Sequence, residues 1–225
     1  MDLRACLRLP TVVAARAQTR AEEIANTLSH AAGGLLAVLA WPLLERAATG
    51  RGGGLGAFAA GVFCATMLLQ YAASAVYHGL PPGRAKLWAR AVDHAAIFVF
   101  IAGSATPFTL GAMARPAGIA TCVLVWILAL WGASLKLRRR LTNRRLSTGL
   151  YVLLGWLALL AAWPGVRALP PEAIGWLLGG GAVYLVGTGF FVFDASLRFG
   201  HFAWHLCVLA GSGCHLCAAL QPALR

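Results

Sequence analysis

Seven apolar stretches, separated by short clusters of charge, leave this chain few folds to choose from. They lie at roughly 27–45, 54–78, 92–111, 116–135, 147–164, 173–193 and 202–220. Each is near the ~20 residues that a helix needs to cross a hydrocarbon core. Only 12% of the 225 residues are charged, against about 25% in a soluble domain, and the mean hydropathy is +0.73. Inside a bilayer every backbone N–H and C=O has to be paired without water, which helices achieve within one segment. The pattern predicts an all-α integral membrane protein, a seven-helix transmembrane bundle over 26–225 behind a basic tail over 1–25.

The formal net charge of +12 would suit a nucleic-acid surface, but its placement argues for a membrane. The nineteen Lys and Arg fall in the tails and connections, where they meet anionic headgroups. If the N-terminus is cytoplasmic, fourteen of the nineteen lie on that side and five on the other. The positive-inside rule then predicts N-in and C-out, with Lys136-Leu-Arg-Arg-Arg140, Arg144 and Arg145 weighing most. Arg4, Arg8, Arg16 and Arg20 enclose no long apolar core, which excludes an ordinary secretory signal peptide. The expected partners are membrane lipids and not nucleic acid, and the expected location is a bacterial inner membrane. The six cysteines are scattered and mostly inside spans, so no disulfide framework is expected, and Cys214-x-x-Cys217 reads as part of that apolar set.

Ionisable residues inside spans are costly and mark function by default. His201 and His205 lie four apart at the mouth of the seventh span, on one helix face and about 6 Å apart in rise. His78 closes the second span, because Pro81 and Pro82 follow it. Asp93 opens the third, and Ser74 sits one turn before His78 on the same face. Three histidines and a carboxylate from three helices thus share one depth. Three His ligands with an open fourth position make a catalytic zinc arrangement, although imidazole also suits Cu, Ni and Fe. Against this stands the plainer reading, in which intramembrane histidines only hydrogen-bond between helices.

The other histidines fit the group less well. His30, early in the first span, is the reserve ligand. His94 points about 100° away from Asp93 and is expected to bond a neighbouring helix. His215, about 15 Å deeper than His205, is expected to be a satisfied packing residue. Gly175-x-x-x-Gly179, with Gly180 and Gly181, puts small residues on the sixth helix and predicts a close neighbour there. Pro42, Pro107, Pro164 and Pro222 are expected near span ends.

Several separated motifs carry a family resemblance. They are Glu22-Glu-Ile-Ala-Asn-Thr-Leu-Ser-His30, Ser74-Ala-Val-Tyr-His78, Asp93-His-Ala-Ala-Ile-Phe-Val-Phe-Ile-Ala-Gly-Ser-Ala-Thr-Pro107, and His201-Phe-Ala-Trp-His205 through Gly211-Ser-Gly-Cys-His215. In this order and spacing the chain resembles the hemolysin III group of the progestin and adiponectin receptor (PAQR) family from about residue 22 onward. The resemblance implies a seven-helix bundle with N-in topology and a zinc ion near the cytoplasmic face. It implies His78, His201 and His205 as the metal ligands, Asp93 acting on a water there, and Ser74 beside it. Similar motifs occur in alkaline ceramidases, which hydrolyse a lipid amide. The function expected is therefore zinc-dependent hydrolysis of a lipid amide or ester that enters from the bilayer. The alternatives are a non-enzymatic sensor or regulator of lipid homeostasis with a structural zinc, and a haemolytic or pore-forming protein. For the last, no span shows the polar stripe that a wide channel requires.

Overall fold

The computed structural model describes residues 16–113 and 115–221. Among these residues the fold is all helical: α1 (Arg20–Gly50), α2 (Gly53–Gly79), α3 (Arg84–Ala112), α4 (Pro116–Leu137), α5 (Arg144–Val166), α6 (Pro171–Phe193) and α7 (Gly200–Leu220). All seven are long and apolar enough to span a membrane. Their outer faces carry Leu35, Leu36, Leu39, Leu43, Ile127, Leu130 and Leu160, all exposed, as hydrocarbon-facing residues should be.

Local chemistry explains where the helices begin and turn. Thr19 caps α1 through a reciprocal capping box with Glu22, so the helix starts seven residues before the hydropathy boundary. Glu22 and Glu23, expected ahead of the span, occupy its first turn instead. Gly53 supplies the left-handed conformation (φ 57°) that breaks α1 from α2, a backbone that residues with a Cβ adopt only at a cost. Helix α3 likewise starts at Arg84 rather than near residue 92, because its charged first turns lower hydropathy without opposing helix formation. Asn143 caps α5 through Leu146 N–H, and Pro171 opens α6 at a position where its missing N–H costs nothing. Pro42, Pro107 and Pro164 lie inside continuous helices, where neighbouring elements stabilise the freed backbone. Pro222 falls outside the described residues.

Helix α3 is the central post. It is the most buried span, and its Phe98, Phe100, Ala102 and Phe108 reach both apolar clusters of the core. One cluster joins α3 to α4 and α5 through Val125, Ala129, Tyr151 and Leu154. The other joins α1, α2, α3, α6 and α7 through Leu44, Phe63, Met67, Tyr71, Leu177 and Val208. Helices α5 and α6 touch each other only sparsely. The connections alternate between the two ends of the bundle. The start of α1, the end of α2 and the starts of α3, α5 and α7 therefore share one end with the α6–α7 turn.

The glycines of α6 work differently from the expected pattern. A Cβ at Gly175, Gly179 or Gly181 would meet nothing within 4 Å, so of the four glycines expected to admit a neighbour these three do not. Gly180 is the close one: its added Cβ would lie 2.5 Å from the His215 ring and 2.9 Å from the Gly211 carbonyl. In return, a Cβ on Gly211 of α7 would lie 2.6 Å from the Tyr184 ring of α6. Each helix thus seats an aromatic side chain of the other on a glycine, and Gly187 of α6 seats the Trp204 ring of α7 in the same way.

Candidate metal centre

At the shared end of the bundle, His78, His201 and His205 each bring one nitrogen within 4.8 Å of the others. Their rings stand 4.8–5.0 Å apart between centroids and are steeply inclined to one another. His78 and His205 are buried, and His201 is partly covered. The sequence reading brought these three together, and the structure does the same.

What sequence did not reveal is how each ring is held. His78 Nδ1 lies 2.6 Å from Glu23 Oε2. His201 Nδ1 lies 2.9 Å from Asp194 Oδ2. His205 Nδ1 lies 3.2 Å from the Asn26 carbonyl, with the Ser29 hydroxyl 3.1 Å away. Ionised carboxylates and carbonyls only accept, so each Nδ1 carries the proton and donates it outward. That leaves the Nε2 lone pairs as ligand atoms, and Nε2 of His78 is buried with no hydrogen-bond partner. Neutral imidazoles with Nδ1 bonded to a carboxylate or backbone carbonyl are the usual second layer of a metal site. The residues present fit a transition-metal ion. His30 stays out of the group: its ring stacks on His205 at 3.6 Å and 5°, and neither of its nitrogens makes a hydrogen bond.

Two acidic residues of α1 tie the site to the other helices. Glu22 accepts from both Arg16 nitrogens at 2.6–2.8 Å and from the Phe199 N–H at 2.8 Å. Phe199 is left-handed (φ 56°) and precedes α7 without a side-chain cap of its own. A carboxylate from α1 therefore satisfies the backbone at the mouth of α7 and fixes the register of His201 and His205. Glu23 binds Lys86 at 2.9 Å as well as His78. On the far side, Asp194 is shared between His201 and Arg144, the latter at 2.7 Å. Burial pushes the Asp194 carboxyl up, but the hydrogen bonds from His201 and Arg144 outweigh it and hold the group below the usual carboxylate range. The Arg144 guanidinium stacks on Phe191 at 4.0 Å and donates to its carbonyl.

Asp93 is 5% exposed and faces Ser74 of α2. Gln70, one turn before Ser74, donates to Asp93 Oδ1 at 3.2 Å, a partner that sequence reasoning missed. The His94 ring packs edge-on against Phe191 of α6, with Nε2 4.0 Å from Asp93 Oδ2 in place of the expected side-chain bond to a neighbouring helix, and its main-chain carbonyl accepts from Tyr151.

A cavity of about 350 Å³ starts here and runs between α3, α5, α6 and α7. Gln70, Ser74, Asp93, His201 and His205 line one end. Phe100, Phe108 and Leu159 line the middle, and Val166, Leu177, Tyr184 and His215 the other end. Trp156 of α5 and Leu178 and Leu185 of α6 belong to the lining yet are exposed at 40–45%, so the cavity opens sideways between these two helices. His215 corrects the expectation of a satisfied residue. Both its ring nitrogens and the Tyr184 hydroxyl are buried without a hydrogen bond, each at a cost of ~1–3 kcal/mol.

Comparisons with known proteins agree with this architecture. A family model described as haemolysin-III related matches residues 18–216. A hemolysin-3 homolog of Bacillus subtilis (strain 168) is 36% identical over 191 residues, covering 85% of this chain and 89% of the relative. A hemolysin-3 of Bacillus cereus is 34% identical over 191 residues, covering 85% and 87%.

Proposed function

This chain belongs to the haemolysin-III related family, and on that premise we propose that it is a zinc-dependent hydrolase of a lipid amide or ester. The observation that carries the reading is the junction of a three-histidine group with a buried carboxylate and a laterally open apolar cavity. A regulator with a purely structural ion would want a closed, four-ligand site, whereas the group here offers three histidines, two of which line the same cavity as Asp93.

His78, His201 and His205 would hold the ion through Nε2, and Glu23, Asp194 and the Asn26 carbonyl would orient them. When bound, zinc supplies Lewis acidity, which acidifies water and polarises a carbonyl. Asp93 is the proton carrier. Its Oδ1 is committed to Gln70, so Oδ2 takes the proton of the attacking water and returns it to the leaving nitrogen or oxygen. The Ser74 hydroxyl beside it orients the water or donates to the developing oxyanion. The slot between α5 and α6 admits a lipid from the bilayer, and the apolar middle of the cavity excludes bulk water from its acyl chain. The basic connections α2–α3 and α4–α5 share the end of the bundle that carries the site, and the positive-inside rule supports a cytoplasmic position for it.

The test combines metal content and turnover of fluorogenic ceramide and acyl-ester substrates on detergent-purified protein. Wild type is expected to hold about one zinc per chain and to turn over at least one substrate. Asp93→Asn should keep the zinc and lose turnover by a hundredfold or more, and His201→Ala should lose both. Zinc-loaded wild type that hydrolyses neither class would replace this reading with a metal-clamped regulator.

A further inference from the structure

The inner end of the cavity is built differently from its apolar middle. Helix α7 places His215 ten residues beyond His205, about 15 Å further along the axis. Across from it stands Tyr184 of α6, whose ring meets His215 edge-on at 5.3 Å. Both side chains line the same cavity as His201 and His205. Both are also held in place by the glycine seats: Gly180 leaves room for His215, and Gly211 leaves room for Tyr184. Gly180 is buried within the bundle, and a side chain there would drive His215 from its position.

Their polar atoms set them apart from every other hydroxyl along the cavity. Ser104 and Thr188 also line it, but each donates back to its own helix, to the Ile101 and Leu185 carbonyls. Ser212, nearby, donates to Val208 and is bonded to the Tyr71 hydroxyl. By hydrogen-bond geometry the Tyr184 hydroxyl and both His215 nitrogens have no partner among the described residues, although the Ser212 hydroxyl and the Leu177 carbonyl stand near them. A tyrosine and a histidine seated in a membrane interior with a donor and an acceptor to spare call for a polar partner.

We propose that His215 and Tyr184 form a polar subsite that binds a hydroxyl carried on the chain of the lipid, about 15 Å from the group bound at the histidine centre. The inference rests on the lipid reading above and adds to it the class of chain. Extended chain advances roughly 1.2 Å per bond, three bonds covering 3.3–3.6 Å, so the hydroxyl falls about twelve bonds from the head. The hydroxyl donates to a His215 nitrogen and accepts from the Tyr184 O–H, while the methylenes between lie against Phe100, Phe108 and Leu159.

Equilibrium binding of two free acids to the purified, zinc-loaded protein tests this without requiring turnover. Stearate and 12-hydroxystearate have the same head and length and differ in one hydroxyl. Wild type is expected to bind the hydroxy acid roughly tenfold more tightly, the factor that one to two neutral hydrogen bonds supply. Tyr184→Phe keeps the ring on Gly211 and should lose most of that preference while binding stearate as well as wild type does. His215→Leu should abolish the preference. 2-Hydroxystearate, whose hydroxyl stays near the head, should show the same affinity in wild type and Tyr184→Phe. Equal affinity of wild type for stearate and 12-hydroxystearate would overturn the proposal and leave water as the occupant of the subsite. Failure to bind either acid would instead overturn the lipid reading on which it rests.

Discussion

The two ends of the cavity hold the same kind of residue in opposite states. At the α7 mouth, His201 and His205 join His78, and every Nδ1 donates to a carboxylate or a carbonyl. One helix turn deeper in α1 and at the far end of α7, the ring nitrogens of His30 and His215 are buried as well, yet none makes a hydrogen bond among the described residues. Membrane burial alone therefore does not make a histidine a ligand. An acceptor behind the ring does, because it fixes the tautomer and aims the remaining lone pair inward. By this criterion the histidines divide into three with an acceptor behind the ring, His78, His201 and His205, and two without one, His30 and His215.

The contrast is broken most directly by exchanging truncations between the ends. His205→Ala should reduce bound metal below one-tenth of an equivalent, whereas His215→Ala should leave it near one, both read by elemental analysis of purified protein. Equal loss in both variants would mean that the far histidine supports the metal after all. A smaller effect is expected from the acceptors. Glu23→Gln and Asp194→Asn leave all three rings present but weaken their orientation, and metal affinity should fall by 10–100-fold in a competitive chelator titration. The smallest effect separates stacking from ligation: His30→Phe keeps a flat ring against His205 and should change metal affinity less than threefold.

Much of the near end is legible in the sequence, for physical reasons. Pro81 and Pro82 fix where α2 stops, and the onset of the apolar runs marks the depth of Asp93, His201 and His205 even where, as in α3, the helix itself begins earlier in a charged turn. The acceptors do not follow from counting. Glu22, Glu23 and Asn26 sit in helical turns that hydropathy assigns to a tail or to its border, since carboxylates lower the average without breaking a capped helix. Asp194 sits in a turn, seven residues before the His201 it holds, and acquires its meaning only when α7 folds back beside α6. Gln70 reads as one polar residue in an apolar run until α3 brings Asp93 to it. At the far end, the small-residue motif pointed to the correct helix, but of its four glycines only Gly180 meets a neighbour closely. Which face of α6 meets α7 is decided by the seating of Tyr184 and His215, a pairing that neither helix specifies alone.

One consequence of these tethers concerns how the molecule is made. Helix α1 contributes none of the three grouped histidines, yet it holds two of them and the entrance of α7. Its bonds span 177 residues from Glu22 to Phe199 and 179 from Asn26 to His205. Synthesis and membrane insertion proceed from the N-terminus, so α1 enters the bilayer first and waits for α7, the last helix to arrive. A chain arrested before α7 contains Glu23 and His78 but only one of the three ligands. Under the proposed function, capture of an ion would therefore mark the moment at which the last helix has joined the first, and a loaded site would serve as a receipt for complete assembly.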